Sequence, residues 1–87
     1  MNTAFLLMAQ YQGKPIIPVS DVCRDFFSHL TTEKFLRKVG AGEIILPLVR
    51  MEASQKAAKG VHLNDLASYL DARHEKAVKE CQQLNGR

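Results

Sequence analysis

The stretch Thr31-Thr32-Glu33-Lys34-Phe35-Leu36-Arg37-Lys38-Val39-Gly40-Ala41-Gly42-Glu43-Ile44 decides how the chain folds. Thr31 or Thr32 offers a side-chain oxygen to the free amides of a helix start, and Glu33 adds negative charge to the first turn, where the helix dipole favours it. Phe35, Leu36 and Val39 form one apolar stripe, while Thr32, Lys34, Arg37 and Lys38 are left for the opposite face. Gly40-Ala41-Gly42 supplies the stop, because glycine tolerates the left-handed conformation that ends helices.

Immediately upstream, Ser20 before Asp21 is a cap for a short helix whose apolar face is Val22, Cys23, Phe26 and Phe27. Ser28-His29-Leu30 connects the two helices tightly. Two short helices joined by a three- or four-residue turn make a candidate helix-turn-helix. Further out, Asn2 or Thr3 caps a first helix running to about Gln12, beyond which Gly13, Pro15 and Pro18 forbid continuation. Phe5, Leu6, Leu7, Met8, Ala9 and Tyr11 surround this helix with apolar groups on more than one stripe, so the rest of the domain or a second subunit must cover it.

Downstream of Gly42 the period changes from helical to alternating. Val49 and Met51 share one face and Val61 and Leu63 another, which predicts a hairpin starting just after Pro47 or lying at a sheet edge. Its tip, Glu52-Ala53-Ser54-Gln55-Lys56-Ala57-Ala58-Lys59, is polar and basic. Asn64 caps a final helix with Asp65 in its first turn, running without Gly or Pro to about Leu84. Leu63, Ala67, Leu70, His74, Ala77, Cys81 and Leu84 recur along it at four-three spacing, a thin coiled-coil-like seam. Leu66, Ala67 and Leu70 are expected to pack on the helix-turn-helix and the later turns to reach a second subunit.

Charge is concentrated in the same middle segment. The 87 residues carry a formal charge of +3. Residues 30–60 hold Lys34, Arg37, Lys38, Arg50, Lys56 and Lys59 against Glu33, Glu43 and Glu52, six minus three, and the flanking segments each balance to zero. A localised basic segment suggests a polyanion partner; a solvated basic face is the alternative. Eighty-seven residues suffice for one domain, 1–87, and not for a two-lobed enzyme with a deep cleft. Cys23 and Cys81 form no Cys-x-x-Cys pattern, and His29, His62 and His74 give no helical metal pair, so neither a metal, a cofactor nor catalysis is expected. Without a membrane-length apolar run or a signal peptide, the expected location is the cytoplasm, at the nucleoid.

The order helix, turn, helix, Gly42-Glu43-Ile44, hairpin and capped helix resembles the small winged helix-turn-helix domains of excisionases and MerR-type proteins, with Ile45 and Leu46 inserted before Pro47. Met1-Asn2-Thr3-Ala4-Phe5-Leu6-Leu7-Met8-Ala9-Gln10-Tyr11, Asp21-Val22-Cys23-Arg24-Asp25, Phe35-Leu36-Arg37-Lys38 and Gly60-Val61-His62-Leu63 resemble the pyocin activator PrtN family over nearly the whole chain. That resemblance implies a bacterial, prophage-linked transcription activator acting on genes for phage-tail-like bacteriocins.

The expected fold is therefore mainly α with a small β-hairpin: a winged helix-turn-helix with an extra N-terminal helix and a long C-terminal one. The expected partner is double-stranded DNA, with RNA polymerase as a further contact. An α-helix fits the major groove, and arginine can bond guanine with two donors, so Arg37 is the base reader and Lys34 and Lys38 hold phosphates. Thr31 and Thr32 add hydroxyls or helix-start amides. Arg50, Lys56 and Lys59 meet flanking phosphates, and Ser54 and Gln55 probe the minor groove. Six cations on phosphate would give a salt slope of only about −5, so specific binding favours a homodimer or higher homo-oligomer. An excisionase-like architectural DNA-bending protein and a protein-interaction module without DNA are the competing readings.

Overall fold

In a computed structural model, which describes residues 2–53 and 58–85, Asn2 opens the first helix, α1 (Thr3–Gln10). Its side-chain oxygen accepts from the Ala4 and Phe5 amides at 2.8 and 3.4 Å. The helix ends two residues before the expected Gln12 because Gln12 and Gly13 adopt φ of 56° and 77°, a left-handed reversal closed by Gly13 N–H donating to the Met8 carbonyl at 2.8 Å.

The chain then forms β1 (Ile16–Pro18), a strand that the alternation pattern did not anticipate. Two isoleucines between Pro15 and Pro18 are too few for a period to show, and their partner lies far along the chain. β1 pairs antiparallel with β3 (Lys59–His62), Ile17 opposite Val61, and β3 pairs with β2 (Val49–Arg50), so the expected hairpin is two strands of a three-stranded sheet ordered β1-β3-β2. β2 begins two residues after Pro47, and the edge position lets that proline lack its donor without loss.

α2 (Val19–Phe26) starts directly at the end of β1, with Pro18 in the cap position and no side-chain cap bond, in place of the expected Ser20 cap. Proline's fixed φ turns the chain from strand into helix before Ser20 is reached. Val22, Cys23 and Phe27 are buried and Phe26 half-buried, as the spacing requires. The Cys23 thiol points toward the Leu30 carbonyl at 3.3 Å, holding a weak hydrogen bond inside the core. Five residues, 27–31, then lead to α3 (Thr32–Gly40), one or two more than the expected turn.

α4 (Leu63–Asn85) begins one residue before the expected Asn64 cap. The capping atom is His62 Nδ1, which accepts from the Asn64 amide at 3.0 Å, so a strand residue ends β3 and starts the helix in one step. Leu63, Leu66 and Ala67 are buried; every position from Asp71 to Asn85 is exposed. α1 packs along the first half of α4, fixed at one end by Thr3 Oγ1 donating to Asp71 at 2.5 Å and at the other by Leu63 N–H donating to the Pro15 carbonyl at 2.8 Å.

The core joins these pieces around Ile17, Val22, Phe35, Val61 and Leu66, all fully buried, with the Phe27 ring 4.8 Å from Phe35 and 5.8 Å from Tyr69. At its edge the Tyr11 hydroxyl donates to Asp25 at 2.5 Å. Burial first and this bond second raise the tyrosine's pKa, while Arg24, then Tyr11, hold the Asp25 carboxyl below the usual carboxylate range. A carboxylate with a lowered folded pKa contributes stability above its unfolded pKa and loses it as pH falls through the folded value. Tyr11→Phe is therefore expected to lower the melting temperature at neutral pH, with the gap to the wild type narrowing in acid as Asp25 protonates; thermal melts across that range check it.

Candidate nucleic-acid interface

Thr31 fixes the start of α3: its hydroxyl accepts from the Lys34 amide at 3.2 Å and its carbonyl from Phe35 at 2.9 Å. With Phe35 fully buried and Leu36 and Val39 half-buried, the helix is pinned by one side. At about 100° per residue, Lys34, Arg37 and Lys38 fall on the other side as an i, i+3, i+4 set. Thr32 does not join them. It is exposed, but lies roughly 160° around the helix from Lys34, which corrects its placement on the basic face.

The three cations differ in how free they are. Lys34 is exposed and has no ion pair among the described residues. Arg37 approaches Glu33 at 3.8 Å, but both side chains stay open, 71% and 86% exposed, so the pair is weak and yields readily to a stronger anion. Lys38 is half-buried and lies 3.5 Å from Glu43. The Glu43 amide also bonds the Lys38 carbonyl at 2.9 Å, so the end of α3 and the Gly42-Glu43 turn form one unit, with Gly42 at φ 78°.

On the sheet, Arg50 and Lys59 are direct cross-strand partners. Opposed residues in an antiparallel pair project to the same face with Cβ atoms about 5 Å apart, and like charges placed so repel. Alternation along β3 puts Lys59 on the face of Val61, hence of Ile17, the face that α2 covers and on which α3 packs in turn. The hairpin's two cations thus stand at the outer end of the sheet on its helical side. Ser54, Gln55 and Lys56, expected at the tip, lie outside the described residues.

A groove of about 500 Å³ runs between the end of α3, the α2–α3 connection and α4, lined among others by His29, Lys38, Glu43, Tyr69 and Arg73. Spacing marks His29 only as a connection residue without a metal-binding neighbour, and does not mark Arg73 at all. Arg73 sits 35 positions from Lys38 in a segment of zero net charge, so only the docking of α4 beside α3 brings the two to one rim.

These features define a small protein, mainly helical with a three-stranded antiparallel sheet, in which the net positive charge falls on the segment that holds one capped helix and the β2–β3 strand pair. Residues 3–77 match the family model of the pyocin activator protein PrtN, and the chain belongs to that family. No curated protein and no solved structure matches it. Among the described residues no helix is long and apolar enough to cross a membrane.

Proposed function

We propose that this protein is a sequence-specific DNA-binding activator of pyocin genes, folded as a winged helix-turn-helix in which α2 and α3 form the helix-turn-helix and β2 and β3 the wing. The observation that carries the reading is the Arg50–Lys59 pair. Two cations set directly opposite each other at a sheet end cost stability in the free protein, and that cost is removed when a polyanion lies across them. α3 complements the pair: Thr31 and Phe35 fix its orientation from the core side, leaving Lys34 and Arg37 projecting from a rigid element.

In this arrangement α3 enters the major groove. Arg37, released from Glu33, donates two bonds to a guanine edge, and Lys34 meets phosphate. Lys38 stays with Glu43 and orders the turn behind the helix. Arg50 and Lys59 hold the phosphates of the flanking backbone. The fold class alone hosts many functions, so the assignment rests on these side chains and on the family.

The test compares two single variants on a site selected from random duplexes and on unrelated DNA. Arg37→Ala is expected to weaken the selected site by about 1–3 kcal/mol and unrelated DNA far less. Lys59→Ala is expected to weaken both alike and to make the salt slope shallower by about 1. Equal losses for both variants on both duplexes contradict the assignment of roles.

A further inference from the structure

Residues 71–85 of α4, fifteen positions and about 22 Å of helix, extend past the core with every residue exposed. A helix of about this length is marginal in water by itself, and among the described residues its internal side-chain support is one weak ion pair, Glu75–Lys79 at 3.9 Å, and the Asn85 amide donating to the Cys81 carbonyl at 3.1 Å. Val78 and Leu84 are nevertheless 40% and 75% exposed on it. Apolar positions on a projecting helix without cover offer a surface that a partner can bury.

The charge pattern selects that partner. The segment holds Arg73, Lys76 and Lys79 against Asp71, Glu75 and Glu80, three of each sign, so it suits neither a strongly acidic nor a strongly basic surface. It matches itself when reversed. Leu70 and Leu84 each lie seven residues from Ala77, and Arg73 and Glu80 lie four and three residues from it on opposite sides. Neither Arg73 nor Glu80 has an ion-pair partner among the described residues.

We infer that two copies of this chain pair antiparallel through the projecting half of α4, about a two-fold axis at Ala77, with Arg73 of each beside Glu80 of the other. Leu84 of one copy then comes level with Leu70 of the other. That is the height of the first turn of α1, set by the Thr3–Asp71 bond, where Phe5 and Leu6 are 67% and 49% exposed. In the parallel alternative the two-fold axis runs along the helices, so Arg73 of one copy faces Val78 of the other and Glu80 faces Asn85, and neither charge meets its opposite. A two-fold axis makes the contact isologous, so it closes at the dimer and does not propagate.

The experiment is sedimentation equilibrium of the full chain without DNA, so that its outcome is independent of any DNA-binding result. The wild type is expected to be a dimer. Arg73→Glu and Glu80→Arg are each expected to weaken dimerisation about tenfold, and the double variant to recover most of the loss, because the reversed pair attracts again. Circular dichroism confirms that each variant folds. Cys81 adds a geometric check: the antiparallel pair separates the two Cys81 residues by eight helical positions, about 12 Å along the axis, beyond the reach of a disulfide. A monomer at all concentrations, a double variant that stays as weak as the singles, or prompt Cys81–Cys81 cross-linking on mild oxidation would each overturn the inference.

Discussion

Phe35→Ala is expected to lower the unfolding free energy by about 3–5 kcal/mol, read as a drop in the urea midpoint at unchanged slope. The side chain is fully buried, meets the Phe27 ring at 4.8 Å, and is the one completely buried residue of α3. Removing it leaves a cavity where the two helices meet, and neighbours fixed by their own backbones cannot collapse into it. A domain of this size has roughly 4–13 kcal/mol of stability in all, so the variant stands near the edge of folding. The functional consequence follows: with the core side of α3 unfixed, Lys34 and Arg37 lose their common orientation. DNA affinity is therefore expected to fall although no cation has been altered. A loss below 1 kcal/mol would mean that α3 is not held by this contact.

The second large effect is expected at Gly60, in the central strand. A β-carbon there would come within 2.5 Å of Ile16 Cγ2 and 2.9 Å of the Ile17 carbonyl oxygen. The second contact is backbone, so relief requires β1 and β3 to separate. Gly60→Val is expected to cost at least the 1–3 kcal/mol typical of overpacking and to loosen the register that places Lys59 opposite Arg50. Gly40→Ala is the control. The added methyl meets no atom within 4 Å at the last residue of α3, and the substitution should be neutral or stabilise by up to about 1 kcal/mol. Thermal melts are expected to show a clear loss for Gly60→Val and none for Gly40→Ala.

What could be read from the chain was local. The Thr31 cap, the Phe35-Leu36-Val39 stripe and the Lys34-Arg37-Lys38 spacing depend on neighbours within one helical turn, and each stands where the pattern puts it. Features set by distant partners were not legible. β1 exists because Ile17 finds Val61 44 positions away, and no period survives in three residues. The cap of α4 passed from Asn64 to His62 because β3 hands over to the helix directly; asparagine is the commoner capping residue, but an imidazole nitrogen at the right position accepts the same amide. The Arg50–Lys59 pairing depends on hairpin register, which composition shows only as two basic residues nine positions apart. Thr32 shows the reverse failure: it is near the cations in sequence and far from them around the helix.

The central claim is that the cations of α3 and of the β2–β3 pair together receive a DNA backbone. Its most direct measurement is the affinity for duplex DNA at a series of salt concentrations, for the wild type and for a variant with Lys34, Arg50 and Lys59 all replaced by alanine. The log of the binding constant should fall linearly with the log of salt, at a slope no steeper than about −5 per copy, and the triple variant should be shallower by about 3. Binding that ignores salt, or a slope unchanged by the three substitutions, would contradict it.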